Sequence, residues 1–538
     1  MATWADETYL GLGSHAGDLT LDQPINDNRL SVTSATRSIN VLRIDPFSSR
    51  PGCSRSSTKS THGRLRRGMG LFSAVAVVVG SCIGSGIFIT PGIVYEDSGS
   101  VGVDLLIWVT AGVASLIHGL CYAELGTMLP SAGGPHEYLR VGLQFMGRTG
   151  DFLSFLCAWS FLVVDPIAVT IQGLTFTAYA LSLPYGNCAP PRAVTILVTV
   201  VIVELAAVVN TFSLQISMKV QNVLFMVKLG VLFAIIATGV VWCIKAPYLL
   251  RKFTFATNAS PGSVLQAFIV AMYTGSGSSM ISCMAEEMSK PSRTIPRSLL
   301  GGIFVVTALQ ILTNAAYFVV LDHKSFTSST ATAVTFGRVT WGQAGEWLVP
   351  IAVCVCTFGT MSASSFSSSR LIMAAARKGH LPALFSLITA RSSLPVIAIA
   401  FKTCAAVAFS VIVSVGLLAK CAIVIASAIN ILVMFSLLRL RVTMKEHVRP
   451  IRAPTLLVII YIPILLSMAL TPFTGGTGTQ LILPTLAFIL LGFPAYALVK
   501  FSHKSRLGEA CYKFLQKCVL CVPCAEALKQ NQNIPGEI

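Results

Sequence analysis

Residues 80–91 read GSCIGSGIFITP and lie in the first long apolar stretch of the chain. Three glycines and two serines occupy the first seven of these positions. A membrane helix tolerates such breakers only where the freed backbone N–H and C=O groups find a partner, either a neighbouring helix or a ligand. The stretch therefore predicts an interrupted membrane helix and a candidate binding position.

The composition of the 538-residue chain is that of an integral membrane protein. Hydrophobic residues make up 54% of it, charged residues only 11%, and the mean hydropathy is +0.74, so most of the chain cannot form a water-facing surface. A helix needs about 20 apolar residues to cross a hydrocarbon core of about 30 Å. We therefore predict an all-α, polytopic protein with twelve transmembrane helices, at approximately 70–90, 103–128, 150–182, 193–212, 220–244, 263–284, 299–321, 347–367, 394–415, 421–438, 455–471 and 480–499.

The net charge of +17 is distributed unevenly. If the amino terminus lies in the cytoplasm, Lys and Arg are concentrated in the segments predicted to be inside, above all 55–68, 439–452 and 500–517, and are sparse in the outside loops. This asymmetry follows the positive-inside rule. It predicts that both termini are cytoplasmic, and it argues against nucleic acid as the partner of the basic residues.

Three regions follow from the distribution of polar residues. Residues 1–68 are rich in Ser, Thr and Arg and lack the apolar core of a cleavable signal peptide, so we interpret them as a disordered cytoplasmic tail. The twelve-span domain is predicted at 69–500. A basic, amphipathic cytoplasmic segment follows at 501–538.

The fifteen cysteines show no spacing typical of a disulfide framework, and most lie inside apolar stretches. Cys188, in LPYGNCAPP, falls instead in a predicted outside loop, where an intermolecular disulfide and a free thiol are both open. Cys518, Cys521 and Cys524 follow the last span, and their spacing lacks a fourth metal ligand, which favours acylation next to the membrane or apolar packing. The sequence predicts neither a metal site nor a cofactor.

The sixth apolar stretch is interrupted like the first, by YTGSGSS at 273–279. Glycine-interrupted segments at corresponding places in two halves are typical of transporters built from inverted repeats. We therefore predict that spans 1–5 and 6–10 form a five-plus-five inverted repeat, with spans 11 and 12 appended. The N–H groups that begin each second half-helix suit a carboxylate, and the carbonyls that end the first suit an ammonium. The alternative is that small residues only allow tight helix packing.

Charged residues inside the predicted spans are few, and the clear cases are Asp165, Glu204, Lys228 and Lys402. A charge in the membrane interior marks a functional site by default, because it is costly to bury. Lys402 is near a helix end, and we interpret it as snorkelling to the interface. Lys228 lies in the middle of QNVLFMVKLGVLFA and needs a buried acceptor or water, so it is the stronger candidate.

Several stretches together resemble the light-chain subunits of the heteromeric amino acid transporters, within the amino acid–polyamine–organocation superfamily. They run in the family's order from about residue 67 to 525: GSCIGSGIFITP at 80–91, LCYAELGTMLPSAGG at 120–134, AEEMSKPSRTIPRSL at 285–299, SSSRLIMAAARKGHLP at 367–382 and VRPIR at 448–452. The resemblance implies a twelve-helix, LeuT-like fold with the five-plus-five inverted repeat. It also implies sodium-independent amino acid transport, usually by exchange, and a single-span glycoprotein heavy chain as partner at the plasma membrane.

The same resemblance implies roles for individual residues. The substrate's carboxylate and α-amino group would be held by the first-span motif, which corresponds to Gly80, Ser81, Cys82, Ile83, Gly84, Ser85 and Gly86. Cys188 matches the cysteine that joins the heavy chain. Lys228 corresponds to a lysine on span 5 that replaces the sodium ion bridging spans 1 and 8, so we expect its ammonium to link first-span carbonyls to the hydroxyl-rich stretch 360–369. A purely structural pairing of Lys228 is the alternative.

Two features depart from the family pattern. Asp165 precedes the proline of span 3 where relatives carry a basic residue, and a carboxylate there either favours cationic side chains or faces water. Span 6, counted back from the shared EEM at 286–288, is about four residues shorter than in relatives and lacks the aromatic residue that closes over substrate. Gly275, Ser276 and Gly277 are still expected to present N–H groups to the carboxylate, with weaker occlusion. A transport-deficient isoform is the alternative.

These features predict an amino acid exchanger that works by alternating access around a site between spans 1 and 6, without enzymatic chemistry. A membrane enzyme would need paired carboxylates or histidine clusters at one depth, and the eight histidines are scattered. A channel or a receptor would need a continuous polar pore or a large soluble ligand domain, and the sequence shows neither pattern.

Overall fold

The computed structural model describes residues 67–185, 188, 190–248, 253–322, 326, 332–389, 392–412, 415–474, 478–502 and 521–523. All but the last two residues of the predicted tail lie outside this part of the chain, as do Cys518 and Cys524. The boundaries of the three predicted regions therefore stay predictions.

Within the described residues the chain forms fifteen α-helices, which we number in order. They are α1 (Leu71–Cys82), α2 (Gly86–Ser98), α3 (Val101–Met128), α4 (Pro135–Gly142), α5 (Arg148–Tyr185), α6 (Arg192–Val209), α7 (Leu214–Lys245), α8 (Pro261–Thr274), α9 (Pro291–Val320), α10 (Thr332–Trp341), α11 (Gln343–Arg377), α12 (Val396–Ile412), α13 (Val415–Thr443), α14 (Thr455–Thr474) and α15 (Gly478–Ser502). Shorter 3-10 helices span Gln144–Met146, Ser276–Glu287 and Ala383–Ser386. Two strands, β1 (Leu387–Thr389) and β2 (Cys521–Pro523), pair antiparallel with Thr389 opposite Cys521.

Serine side chains begin three of the long helices. Ser100 accepts a hydrogen bond from Val103 N–H at the start of α3 (3.4 Å), and Ser213 and Ser260 do the same at the starts of α7 and α8 (3.2 and 3.1 Å). Each cap satisfies one N–H group that the first turn of a helix leaves unpaired. Between α2 and α3 the chain turns at Gly99, whose φ of 70° suits glycine.

Eight of the described helices are long and apolar enough to cross a membrane: α3, α5, α6, α7, α8 with the 3-10 helix after it, α9, α11 and α13. The pair α1 and α2 passes the same test together, which brings the number to nine. Three shorter apolar segments lie where spans 9, 11 and 12 are predicted, at Val396–Val411, Thr455–Leu470 and Ala487–Phe501. A polytopic, helical membrane protein is thus confirmed, while the count of twelve and the inverted repeat stay predictions.

The helices differ in how far other helices enclose them. In the most apolar window of α11, 72% of the residues are buried, compared with 28% in α6 and in α7. Because α11 packs against α1, α5, α7 and α10, nearly all of the hydroxyl-rich stretch 360–369 faces protein and not lipid. Helix α1 packs on the 3-10 helix Ser276–Glu287 and α2 packs on α8, which brings the two interrupted spans together.

Candidate functional site

The first span breaks where the sequence predicts. Helix α1 ends at Cys82 and α2 begins at Gly86, so residues 83–85 lie outside both helices, and the chain bends by 45°. The first hydrogen bond of α2 runs from Phe88 N–H to Ser85 O (3.1 Å). The N–H groups before it have no partner within the helix, and the helix dipole favours an anion beside them.

The carbonyl groups freed by this break bind Lys228. The fully buried Lys228 side chain, on α7, donates to Gly80 O (2.8 Å), Ile83 O (2.6 Å) and Thr360 Oγ1 (2.8 Å). The Thr360 hydroxyl has two acceptors within reach of its one proton, Ile83 O (2.8 Å) and Cys356 O (3.0 Å). Three acceptors match the three donors of an ammonium. Lys228 thus lies between first-span carbonyls and α11, and its part in conformational coupling stays a prediction.

The sixth span breaks opposite the first. After α8 and Gly275 the chain continues as the 3-10 helix Ser276–Glu287. Ser81 Oγ has two acceptors within reach of its one proton, Val78 O of its own helix (2.9 Å) and Gly277 O (3.0 Å), and Cys82 Sγ donates to Gly275 O (3.5 Å). A Cβ at Gly277 would lie 2.5 Å from Ser81 O, so only glycine permits this approach. The structure therefore places the predicted residues of the two spans side by side.

Two polar side chains that the sequence pattern does not single out also reach the breaks. Gln172 Oε1, on α5, accepts from Ser85 N–H (3.4 Å). Gln310 Nε2, on α9, donates to Thr274 Oγ1 (2.7 Å) at the end of α8. Gln172 follows Asp165 by two helical turns and shares its face of α5. A search for polar residues on the same helix face as Asp165 would have identified Gln172.

The interpretation of Lys402 as a snorkelling side chain is wrong. Lys402, on α12, is 1% exposed, forms an ion pair with Asp165 of α5 and donates to Ser368 Oγ (2.7 Å). The two Asp165 oxygens also accept from Ser364 Oγ and Ser368 Oγ of α11, each at 2.7 Å. The reason is that an internal carboxylate offsets the desolvation of the ammonium. Asp165 therefore neither faces water nor offers a free negative charge.

Buried ion pairs fill one end of the helix bundle. Arg370 Nε donates to Glu287 Oε1 (3.0 Å), with both side chains buried, and Arg377 Nη1 donates to Glu286 Oε2 (2.9 Å). The four residues come from two of the motifs quoted above, at 285–299 and 367–382. These motifs therefore join α11 to the end of the sixth span.

The start of the first span is fixed at the same end. Glu287 O accepts from the N–H groups of Gly68 (2.9 Å) and Met69 (3.1 Å), and Ser289 N–H donates to Met69 O (3.4 Å). The residues before α1 thus pair with the residues after the 3-10 helix of span 6. These hydrogen bonds join the two interrupted spans at the end of the bundle that holds the ion pairs.

A histidine cluster lies beside these ion pairs, at the loop after α11. His380 Nε2 donates to Asp151 Oδ1 (2.6 Å), and His136 Nε2 lies 2.7 Å from His380 Nδ1. Burial lowers the pKa of His136 well below its usual value and also lowers the pKa of His380. Both rings are therefore neutral at pH 7, with His136 donating to His380 and His380 donating to Asp151.

Cys188 is exposed, in the segment between α5 and α6. It forms no disulfide with another described cysteine. Its surface position leaves the thiol accessible to a second chain.

Residues 69–493 of the chain match the amino acid permease family. The chain is 31% identical to b(0,+)-type amino acid transporter 1 of Mus musculus, across 87% of this chain and 97% of that protein. It is 32% identical to Asc-type amino acid transporter 1 of Mus musculus, across 88% of this chain and 89% of that protein. It is also 32% identical to Large neutral amino acids transporter small subunit 2 of Homo sapiens, across 82% of each chain. Because the family match includes both interrupted spans, Lys228 and the ion-paired end of the bundle, the chain belongs to the amino acid permease family.

Proposed function

We propose that the chain is a sodium-independent amino acid exchanger that holds its substrate at the two breaks. The observation that carries the proposal is that spans 1 and 6 are interrupted side by side within apolar helices, with small residues and non-helical backbone N–H and carbonyl groups between them. Several relatives are named as amino acid transporters, which supports the same function.

The beginning of α2 supplies the carboxylate half of the site. The N–H groups of Ser85 and Gly86 precede the first internal bond of α2, and the positive end of the helix dipole lies there. A carboxylate that accepts from these groups replaces partners that the break removes.

Backbone carbonyls of both spans form the part of the site that binds the substrate ammonium. Ile83 O already accepts from Lys228 and lies 2.8 Å from the Thr360 hydroxyl, so neighbouring side chains crowd both of its lone pairs. The substrate ammonium must therefore bind other carbonyls, and we assign this role to Ser81 O and Gly275 O. One comes from each break, so a bound amino acid joins the two spans.

Sodium independence is supported by the position of Lys228. Its ammonium lies between first-span carbonyls and the Thr360 hydroxyl at 2.6 to 2.8 Å. These oxygens are ligands that a small cation would also use, and a fixed positive charge already occupies the space among them. The protein therefore needs no metal ion to join α1 to α11.

Alternating access requires the site to open to one side at a time. The Glu287–Arg370 pair and the two backbone bonds to Glu287 O close one end beneath the first span. The positive-inside pattern assigns this end, and both termini, to the cytoplasm. Opening to the cytoplasm then requires Gly68 and Met69, just before α1, to separate from Glu287.

Exchange is tested with the purified protein in proteoliposomes and a labelled amino acid outside. Enclosed unlabelled amino acid should accelerate uptake severalfold, and uptake should be unchanged when choline replaces sodium. Equal uptake with and without enclosed amino acid contradicts exchange. Uptake that stops without sodium contradicts sodium independence. Absence of uptake for all amino acids favours the transport-deficient isoform.

The proposed partner is a single-span glycoprotein heavy chain, joined through Cys188 at the outer face of the plasma membrane. One relative is named a small subunit, and the exposed thiol supports the same arrangement here. In cells that make both chains, non-reducing gels should show a larger, reducible complex that Cys188→Ser abolishes. Cys243→Ser, at the end of α7, is the matched control. A complex that survives Cys188→Ser contradicts the assignment.

A further inference from the structure

The carboxamide of Gln172 lies against the break of the first span. Its Oε1 accepts from Ser85 N–H (3.4 Å). Its Nε2 and Oε1 lie 2.9 and 3.1 Å from the position that a Cβ on Gly84 would take. The absence of that Cβ is what admits the carboxamide. Gln172 as a whole residue is half-buried, and these contacts place its end group directly against the break.

Gln172 and a substrate carboxylate compete for the same N–H group. Both offer an oxygen acceptor, and two acceptors cannot share the Ser85 N–H at full strength. The competition is resolved if the carboxamide turns about its last bond. That turn exchanges the oxygen for the NH2 group within the same volume and converts an acceptor into a donor.

We propose that Gln172 is a substrate-binding residue that also stands in for the substrate when the site is empty. This inference rests on the proposed function. In the empty site Oε1 satisfies Ser85 N–H. In the loaded site the NH2 group donates to the α-carboxylate of the amino acid, next to the N–H groups of Ser85 and Gly86.

The acceptor role has a consequence for the transport mode. An exchanger is obligatory when the empty protein cannot rearrange, and a closed site with an unpaired N–H group opposes that rearrangement. Gln172 supplies the missing acceptor from within the protein. The empty protein can then change from facing one side of the membrane to facing the other. Net efflux of amino acid therefore accompanies exchange.

Two substitutions separate the donor role from the acceptor role. Gln172→Leu removes both, so the KM for exchange should rise roughly tenfold, as expected for one hydrogen bond to a charged group, and the ratio of net efflux to exchange should fall. Gln172→Glu keeps an acceptor but loses the donor, so KM should rise while that ratio does not fall. A purely structural residue would not move the two readouts separately.

The measurements use wild-type and variant proteins in proteoliposomes, with efflux into buffer that contains or lacks amino acid. Thr175→Val is the control, because the Thr175 hydroxyl bonds to Ile171 O of its own helix (2.8 Å). A KM for Gln172→Glu equal to that of wild type overturns the donor role. An unchanged efflux ratio in Gln172→Leu overturns the acceptor role. A wild-type protein that exchanges no amino acid overturns the proposed function itself.

Discussion

Lys228 has three partners in a dry interior, so its removal leaves Gly80 O and Thr360 Oγ1 without this donor, while Ile83 O keeps only the Thr360 hydroxyl beside it. Each unpaired buried acceptor costs about 1–3 kcal/mol. We expect Lys228→Ala to lower exchange at least severalfold per molecule at the cell surface. Surface biotinylation supplies the normalisation, and Lys219→Ala, at an exposed position of the same helix, is the control. Unchanged normalised exchange would leave Lys228 with a structural role only.

The Asp165–Lys402 pair predicts a double-mutant cycle. Removing one partner of a buried ion pair costs about 3–5 kcal/mol, whereas replacing both by apolar residues is often neutral. Asp165→Leu and Lys402→Met should each lower the melting temperature of the solubilised protein, and the double variant should recover most of the loss. Because the charges cancel, the double variant should also keep the preference between cationic and neutral amino acids. Losses that simply add would show that the two side chains are independent.

The buried environment of Lys228 was easier to predict from the sequence than that of Lys402, for a physical reason. An ammonium in the middle of a span always needs a buried acceptor, whereas one near a helix end has a second outcome at the interface. The choice for Lys402 depends on Asp165, which lies far away in the sequence. The role of Gln172 is harder still to predict, because a neutral amide costs less to bury than a charge and therefore does not by itself indicate a functional site.

At the scale of elements, the 3-10 helix of span 6 has the length needed to offset the predicted shortening of this span. Ser276–Glu287 contains 12 residues. A 3-10 helix rises about 2.0 Å per residue and an α-helix about 1.5 Å, so the stretched form gains about 6 Å. That gain equals the rise of about four α-helical residues, the number by which this span is predicted from the sequence to be shorter than in the resembling family. The ion pairs at Glu286 and Glu287 hold the far end of the segment in place.

Restoring the missing length should therefore relax this segment. We expect insertion of Leu-Phe-Ala-Tyr after Gly275 to convert part of it to α-helix, because long 3-10 helices are unfavourable, and to supply an aromatic residue that closes over substrate. The apparent KM should fall and exchange should become tighter relative to leak. Insertion of Ala-Ala-Ala-Ala at the same point separates length from aromatic closure. If neither insertion changes KM, the shortened span does not limit transport.

The histidine cluster joins α4, α5 and the loop after α11 and makes their packing depend on pH. Burial is the main factor that opposes protonation of the two rings, the nearby cations Arg140, Lys378 and Lys500 add to it, and Asp151 favours protonation. The folded-state pKa values of His136 and His380 therefore lie below the value of about 6.5 for an unfolded chain. The unfolded state then binds more protons as pH falls through 6.5, so the free energy of unfolding is unaffected above about pH 6.5 and decreases below it.

This dependence is measurable as a melting temperature. Between about pH 7.5 and 5.5 the melting temperature of the solubilised wild-type protein should fall. The variant that combines His136→Gln with His380→Gln should lose less over the same interval. His447→Gln, in another loop, is the control and should follow wild type. Parallel curves for all three proteins would assign the pH dependence to other groups.

At the scale of the whole molecule, periodic apolar stretches predicted the helical membrane fold, because span length follows directly from bilayer thickness. The paired breaks were predicted equally well, since glycines and serines clustered inside an apolar run weaken a continuous helix. The packing of the spans against one another was harder to predict from the sequence. Which hydroxyls of α11 meet Asp165 and which meet Lys228 depends on how the helices rotate against one another, and single-chain patterns do not specify that rotation.

The central claim is that N–H groups at the break of the first span hold the carboxylate of the substrate. Proline at position 85 removes one such N–H, and the φ of Ser85, −66°, is close to the value of about −65° that proline fixes. The most direct measurement is equilibrium binding of the best-exchanged labelled amino acid to purified Ser85→Pro, with Ser85→Ala as the control that keeps the N–H. We predict that Ser85→Pro binds about tenfold more weakly than Ser85→Ala at an unchanged melting temperature. Equal affinities of the two variants would contradict the claim.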